Sequence, residues 1–366
     1  MATLFAVTDL GLRCLAERDG ALESRLLLED RRLQCVAVHP REPGRIFAGS
    51  RGRGVWRSDD GGASWSGADL PARDVFSLAV SPADGAVYAG TQPSMVFRSD
   101  DGGSSWRELD ALRRLPSAST WSFPPRPWTS HVRWIAPNPH DAGLLLAGIE
   151  LGGLMRSTDR GETWEDHRPG AQRDVHALAW HPVHTERAYE AGGGGAAWSF
   201  DGGETWRPAD EGRDRHYTWA LAVDPDDPDV WYISASTAPG AAHGRGHAEA
   251  HIYRWRGEGP WERLEGGLPQ PLDSMPYALL AMRGLLVAGL ADERIYASRD
   301  RGDTWTRLDV RGAAPRRILA LAAAPESGDG GGVTRRVLDH GPPVQRRPSR
   351  RDRVYVSRQR PSPGPT

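Results

Sequence analysis

The sequence predicts an all-β chain assembled from repeats, and two recurring phrases carry that expectation. One is a serine, Asp-x-Gly two residues on, then a hydroxyl residue followed by tryptophan. It occurs five times, as Ser58-x-Asp60-x-Gly62-x-Ser64-Trp65 and again from Ser99, Ser157, Ser199 and Ser298. The other is an apolar run of small residues ending near proline, as in Cys35 to Pro40, Ser77 to Pro82, Ala177 to Pro182 and Ala220 to Pro225. A motif returning at intervals of about forty to sixty residues marks a repeat architecture, one supersecondary unit per copy.

Each copy of the first phrase reads as a hairpin. The aspartate can accept backbone N–H groups across a turn, and the glycine supplies a positive φ that other residues resist. The run before it is strand-like, for example Gly54-Val55-Trp56-Arg57 or Arg294-Ile295-Tyr296-Ala297. The tryptophan after it opens the returning strand, with a large apolar body and an N–H that needs a partner. Carboxylates and hydroxyls in this density also suit metal or sugar. A structural role is expected instead, because a catalytic residue is needed once and not five times.

These boxes resemble the Asp-box, or bacterial neuraminidase, repeat of sialidases, Vps10/sortilin-type receptors, xyloglucanase-like glycosidases and the photosystem assembly factor family. The resemblance implies a β-propeller with each box on the hairpin between the third and fourth strands of a blade. It is specific for fold and not for activity.

Seven inner strands can be counted, the four above plus Trp134 to Pro139, Ala278 to Met282 and Ala320 to Pro325. The sixth box is degenerate: Trp255 to Trp261 keeps only the closing tryptophan. The last inner strand, Ile318 to Ala323, has no box after it, and the N-terminal runs Leu4 to Val7 and Leu12 to Leu15 have no inner strand before them. The two defects complement each other. The expected fold is a seven-bladed β-propeller of four-stranded antiparallel blades, occupying residues 1–325 and closed by N- and C-terminal strands, which removes exposed sheet edges. Residues 326–366 are Gly/Pro/Arg-rich and aperiodic, and read as a disordered tail. That tail holds nine arginines against four acids, a net +5, so the remainder carries −7 of an overall −2.

A net charge of −2 argues against nucleic acid as the main partner. All 46 basic residues are arginine, which points to a GC-rich bacterial genome. Two cysteines, Cys14 and Cys35, make no disulfide framework. Residues 1–20 lack a basic head and long apolar core, and no apolar run reaches membrane length, so a cytoplasmic monomer without membrane contact is expected.

If the boxes mark one face, ligands should meet the other. The two longest insertions, Arg107 to Ser130 and Ser234 to Ala250, both rise there and flank the fourth blade; long loops in compact domains are usually functional or disordered. Aligning the inner strands on their prolines puts Arg32, Asp74, His131, Asp174, Tyr217, Met275 and Arg317 where the strands enter. Two positions on come Gln34, Phe76, Arg133, His176, Trp219, Tyr277 and Leu319. A polar, partly aromatic ring at a channel mouth suits a small polar or sugar-like ligand. Candidate ligand-binding residues are His131, Arg133, His176, Tyr217, Trp128, Arg32 and Arg317. The insertion also holds His243, His247 and His251, spaced as metal ligands on a helix would be, yet Gly244 and Gly246 disfavour that helix, and no metal or cofactor is expected.

The first functional expectation is a propeller that binds a carbohydrate or protein ligand over blades three to five. The alternative is a glycoside hydrolase, which needs two carboxylates roughly 5 to 9.5 Å apart. Asp174, Glu150 and Asp74 are the candidates. The resemblance to sialidases would add an arginine cluster and a tyrosine nucleophile, for which Arg32, Arg133, Arg317 and Tyr217 are available, but the Arg-Ile-Pro opening of that family is missing.

Overall fold

A computed structural model describes residues 2–29, 31–123 and 129–325. The tail at 326–366 and Trp128 lie outside the described residues. Seven antiparallel sheets follow one another in a ring. Blade one spans Leu33–Val38, Ile46–Ser50, Gly54–Ser58 and Ser66–Ala68, and blades two, four, five and six repeat that four-stranded order. Ring closure is as the termini predict: the inner strand Ala320–Ala323 pairs antiparallel with Leu4–Thr8, Leu4 opposite Ala323, and Gly11–Arg18 and Ala21–Glu29 complete the blade. A fifth strand, Val310–Arg311, adds in parallel to its outer edge.

Blade three departs from the pattern. It has three strands, and its fourth is reduced to a bridge between Arg156 and Glu165. Beside that bridge the Asp166 carboxylate accepts the Ser117 hydroxyl (2.5 Å) and backbone N–H (3.1 Å) from the first insertion, and the Arg168 N–H then donates to the Leu154 carbonyl of the third strand (2.9 Å). That insertion begins after the outer strand Arg107–Glu108 and contains two 3-10 turns, Asp110–Arg114 and Pro116–Thr120. The second begins after the strand Val230–Ser236, later than the sequence suggests.

Apolar side chains gather in seven wedges, each between two neighbouring blades. The second strands supply glycine where the next blade approaches. A Cβ on Gly148 would lie 2.4 Å from Val175 Cγ1 of the next blade, and one on Gly90 would lie 2.7 Å from Val132 Cγ1. Both distances are far inside van der Waals contact, so the spacing between blades depends on the missing side chain.

All five complete boxes make one hydrogen-bond set. In the first, Ser58 Oγ donates to Asp60 Oδ1 (2.8 Å) and accepts from the Gly62 N–H (2.8 Å). Ser64 donates its N–H to Asp60 Oδ1 (2.9 Å) and its hydroxyl to Oδ2 (2.6 Å). These bonds hold Asp60 down to about 2, the Ser64 hydroxyl contributing most. Gly62 sits at φ 87°, the left-handed conformation anticipated for it. Three of the boxes bond to the turn joining the first two strands of their own blade: Gly61 N–H to the Gly44 carbonyl (2.9 Å), Arg160 N–H to Gly143 (2.9 Å) and Gly202 N–H to Glu186 (3.0 Å). The boxes therefore lie at the proline ends of the inner strands, away from the insertions.

Two outcomes follow. Asp159→Ala should lower stability by about 1 to 3 kcal/mol, the cost of donors left unpaired, with an unchanged far-UV spectrum; an unchanged melting temperature would remove the box's structural role. Deleting residues 1–20 strips two strands from the closing blade and should give aggregated protein in size-exclusion chromatography; a soluble monomer with the parent melting temperature would contradict closure through the N-terminus.

Candidate functional site at the channel mouth

The ladder between the first and second strands skips a residue in six blades. The register breaks between Leu33 and Cys35, Val75 and Ser77, Val132 and Trp134, Val175 and Ala177, Thr218 and Leu221, and Pro276 and Ala278. The bypassed residues include Gln34, Phe76, Arg133, His176, Trp219 and Tyr277. A β-bulge re-aims the side chain it releases, and these six, with Leu319 from the seventh blade, line a central cavity of about 150 Å³. The second set of aligned positions is thus the ring that faces the channel.

The charged part of this mouth comes from blades three and four. Glu150, at the end of the second strand of blade three, is 6% exposed, and His131 is 1% exposed. His131 Nε2 lies 2.7 Å from Glu150 Oε2, and Arg133 Nε lies 3.8 Å from the same oxygen. Burial would raise the Glu150 pKa, but the His131 hydrogen bond and the Arg133 guanidinium outweigh it and hold the carboxyl down to about 2. Burial pushes His131 below its usual value. The pair is therefore a carboxylate accepting from a neutral imidazole. Phe76 stacks on His131 with ring centroids 4.0 Å apart, and Phe123 from the first insertion meets its edge at 4.9 Å.

On blade four, His176 Nδ1 lies 2.6 Å from the Thr218 carbonyl oxygen, which only accepts, so Nδ1 carries the proton. Its Nε2 is 3.5 Å from Asp174 Oδ2 and makes no hydrogen bond. One ligand atom from each of Glu150, Asp174 and His176 lies within 4.8 Å of the others.

Blades five and six contribute the aromatic wall. The Arg133 guanidinium sits 4.5 Å over the Trp219 ring, and Trp219 lies 5.5 Å from Tyr277. The second insertion supplies a one-turn helix, Pro239–His243, whose last residue reaches back over this wall. His243 Nε2 meets the Tyr217 hydroxyl at 2.9 Å, and its Nδ1 meets the Tyr277 hydroxyl at 2.8 Å. Burial lowers the His243 pKa, and the Arg133 guanidinium acts in the same direction. Since the Tyr277 hydroxyl donates to the Ala242 carbonyl (3.3 Å), the bonds run one way: Tyr217 O–H to Nε2, then Nδ1–H to Tyr277.

His131, Arg133, Glu150, Asp174, His176 and Tyr217 thus converge. Asp74 does not join them; it pairs in register with Gln92 on blade two. Arg32 and Arg317 are exposed residues at φ 49° and 47°, and Arg317 borders a second opening beside His243 and Tyr277. His243, His247 and His251 do not cluster: the helix stops at His243, His247 is exposed, and His251 Nδ1 is bound to Gln270 Oε1 at 2.7 Å. Sequence reasoning left Trp219 and Tyr277 out of the candidate set although both stood in the aligned ring, and nothing in the sequence signalled Phe123 or the link from His243 to two tyrosines.

Residues 197–208 match the family model of the BNR/Asp-box repeat. No curated protein matches this chain by sequence. Among solved structures, the GH74 xyloglucanase from Xanthomonas campestris is similar over 75% of this chain and 45% of its own, with 22% identity and a TM-score of 0.59. An ancestral GH74 enzyme is similar over 84% of this chain and 40% of its own, at 18% identity and 0.58. YCF48 bound to a D1 peptide is similar over 76% and 81%, at 17% identity and 0.52. The chain spans less than half the length of the GH74 enzymes it matches. The ring is a seven-bladed β-propeller, and it carries the BNR/Asp-box repeat.

Proposed function

We propose that the chain is a binding propeller that takes a sugar-like ligand at the channel mouth, where blades three to five supply Arg133, His176 and Trp219. The observation that carries this is the convergence of aromatic faces (Phe76, Trp219, Tyr277) and hydrogen-bonding groups (Gln34, Arg133, His176) on one cavity. Aromatic faces stack on the apolar face of a sugar ring while polar groups at the rim fix its hydroxyls. At about 150 Å³ the cavity is smaller than the roughly 300 to 1,000 Å³ of drug-sized sites, so it suits one ring or one side chain.

Glycoside hydrolysis is the second reading, favoured by the proximity of Glu150 and Asp174 and by the likeness to GH74 enzymes. A hydrolase needs one carboxyl that keeps its proton at working pH. Glu150, held near 2, has none to give. Glu150 is also buried and paired with His131 and Arg133, and binding is the better supported function.

A glycan array followed by calorimetry tests this. A saccharide should bind without release of reducing ends; Trp219→Ala should weaken it about tenfold or more, a loss on the order of 1.4 kcal/mol. Ser104→Ala, on the box face, should leave affinity unchanged. Binding that survives Trp219→Ala, or a protein that takes peptides and no glycan, would overturn the proposal. Turnover of an aryl-glycoside abolished by Asp174→Asn would establish the hydrolase instead.

A further inference from the structure

We infer that Glu150, Asp174 and His176 form a site for a first-row divalent transition metal at the rim of the channel. The three come from two adjacent blades, and one ligand atom of each lies within 4.8 Å of the others. With bonds of about 2.1 Å, the ligand atoms around such an ion stand about 3 to 4 Å apart, so side-chain shifts of under about 1 Å close the trio.

Proximity of acids alone would say little. The independent observation is His176. It is 1% exposed, and its Nε2 has no hydrogen-bond partner although the surrounding groups are polar. Its Nδ1–H is committed to the Thr218 carbonyl, which leaves Nε2 as the ring nitrogen that faces Asp174, 3.5 Å from Oδ2. No hydrogen bond joins this nitrogen to the carboxylate it faces. A cation between them satisfies both. Asp174 Oδ1 is likewise buried without a partner.

The outer contacts fit the same role. Metal-binding histidines donate their other N–H to a carbonyl or carboxylate, and metal-binding carboxylates are themselves hydrogen-bonded. Thr218 does the first for His176, and His131 does the second for Glu150 at 2.7 Å. One imidazole and two carboxylates make a mixed N/O set, which suits zinc, iron or manganese better than calcium or magnesium. Three protein ligands leave a position open, and His176 itself lines the cavity. Arg133, 3.8 Å from Glu150, opposes a cation and keeps the affinity modest. The site does not depend on the identity of the saccharide.

The test uses metal-free protein titrated with Zn²⁺ by calorimetry, and with Co²⁺ read by its visible absorption. One equivalent should bind, with d–d bands of a nitrogen–oxygen site. Asp174→Asn and His176→Ala should each lose that equivalent, and His131→Gln should weaken it by about 10- to 100-fold. Circular dichroism shows whether each variant is folded; if His176→Ala is not, Asp174→Asn and Glu150→Gln decide. Absence of stoichiometric binding to the wild type, or an unchanged equivalent in folded Asp174→Asn, would overturn the site.

Discussion

The channel mouth depends on one backbone irregularity repeated six times. A regular ladder would alternate side chains strictly between the two faces of each blade. Skipping a residue near the start of the inner strand turns one extra side chain out of the blade stack. Because the skip falls at the same place in six blades, Gln34, Phe76, Arg133, His176, Trp219 and Tyr277 meet around one axis.

The rest of the fold holds those strands at a fixed spacing. There is no single core; there are seven wedges, each shared by two blades, so each blade is stable only between its neighbours. Glycines such as Gly90 and Gly148 let the inner strand of the next blade approach. The boxes stiffen the opposite face, and closure by Leu4–Thr8 against Ala320–Ala323 spares the ring a pair of open edges. Rigidity on one face and insertions on the other leave the mouth as the place where chemistry can vary.

Much of this was legible in the sequence, and what was legible is local or repeated. The box is contained in eight residues, so its hydrogen bonds follow from residue types alone. Closure followed from complementary defects at the two ends, and alignment on proline found the channel ring. What stayed hidden depends on contacts between distant segments. Asp166 bonds to Ser117 of the first insertion, beside the single bridge that stands for the fourth strand of blade three. His243 read as one of three spaced histidines, yet it bridges Tyr217 and Tyr277 from neighbouring blades. Asp74 and Asp174 occupy equivalent strand positions and look alike in sequence; only Asp174 has a carboxylate and an unpartnered imidazole beside it.

A crystal structure of the protein is the most direct measurement of the central claim. The account predicts a skipped residue in six inner strands, with Arg133, His176, Trp219 and Tyr277 facing a common channel and any soaked saccharide lying against them. Regular ladders that bury those side chains between blades, or saccharide density confined to the box face, would contradict it.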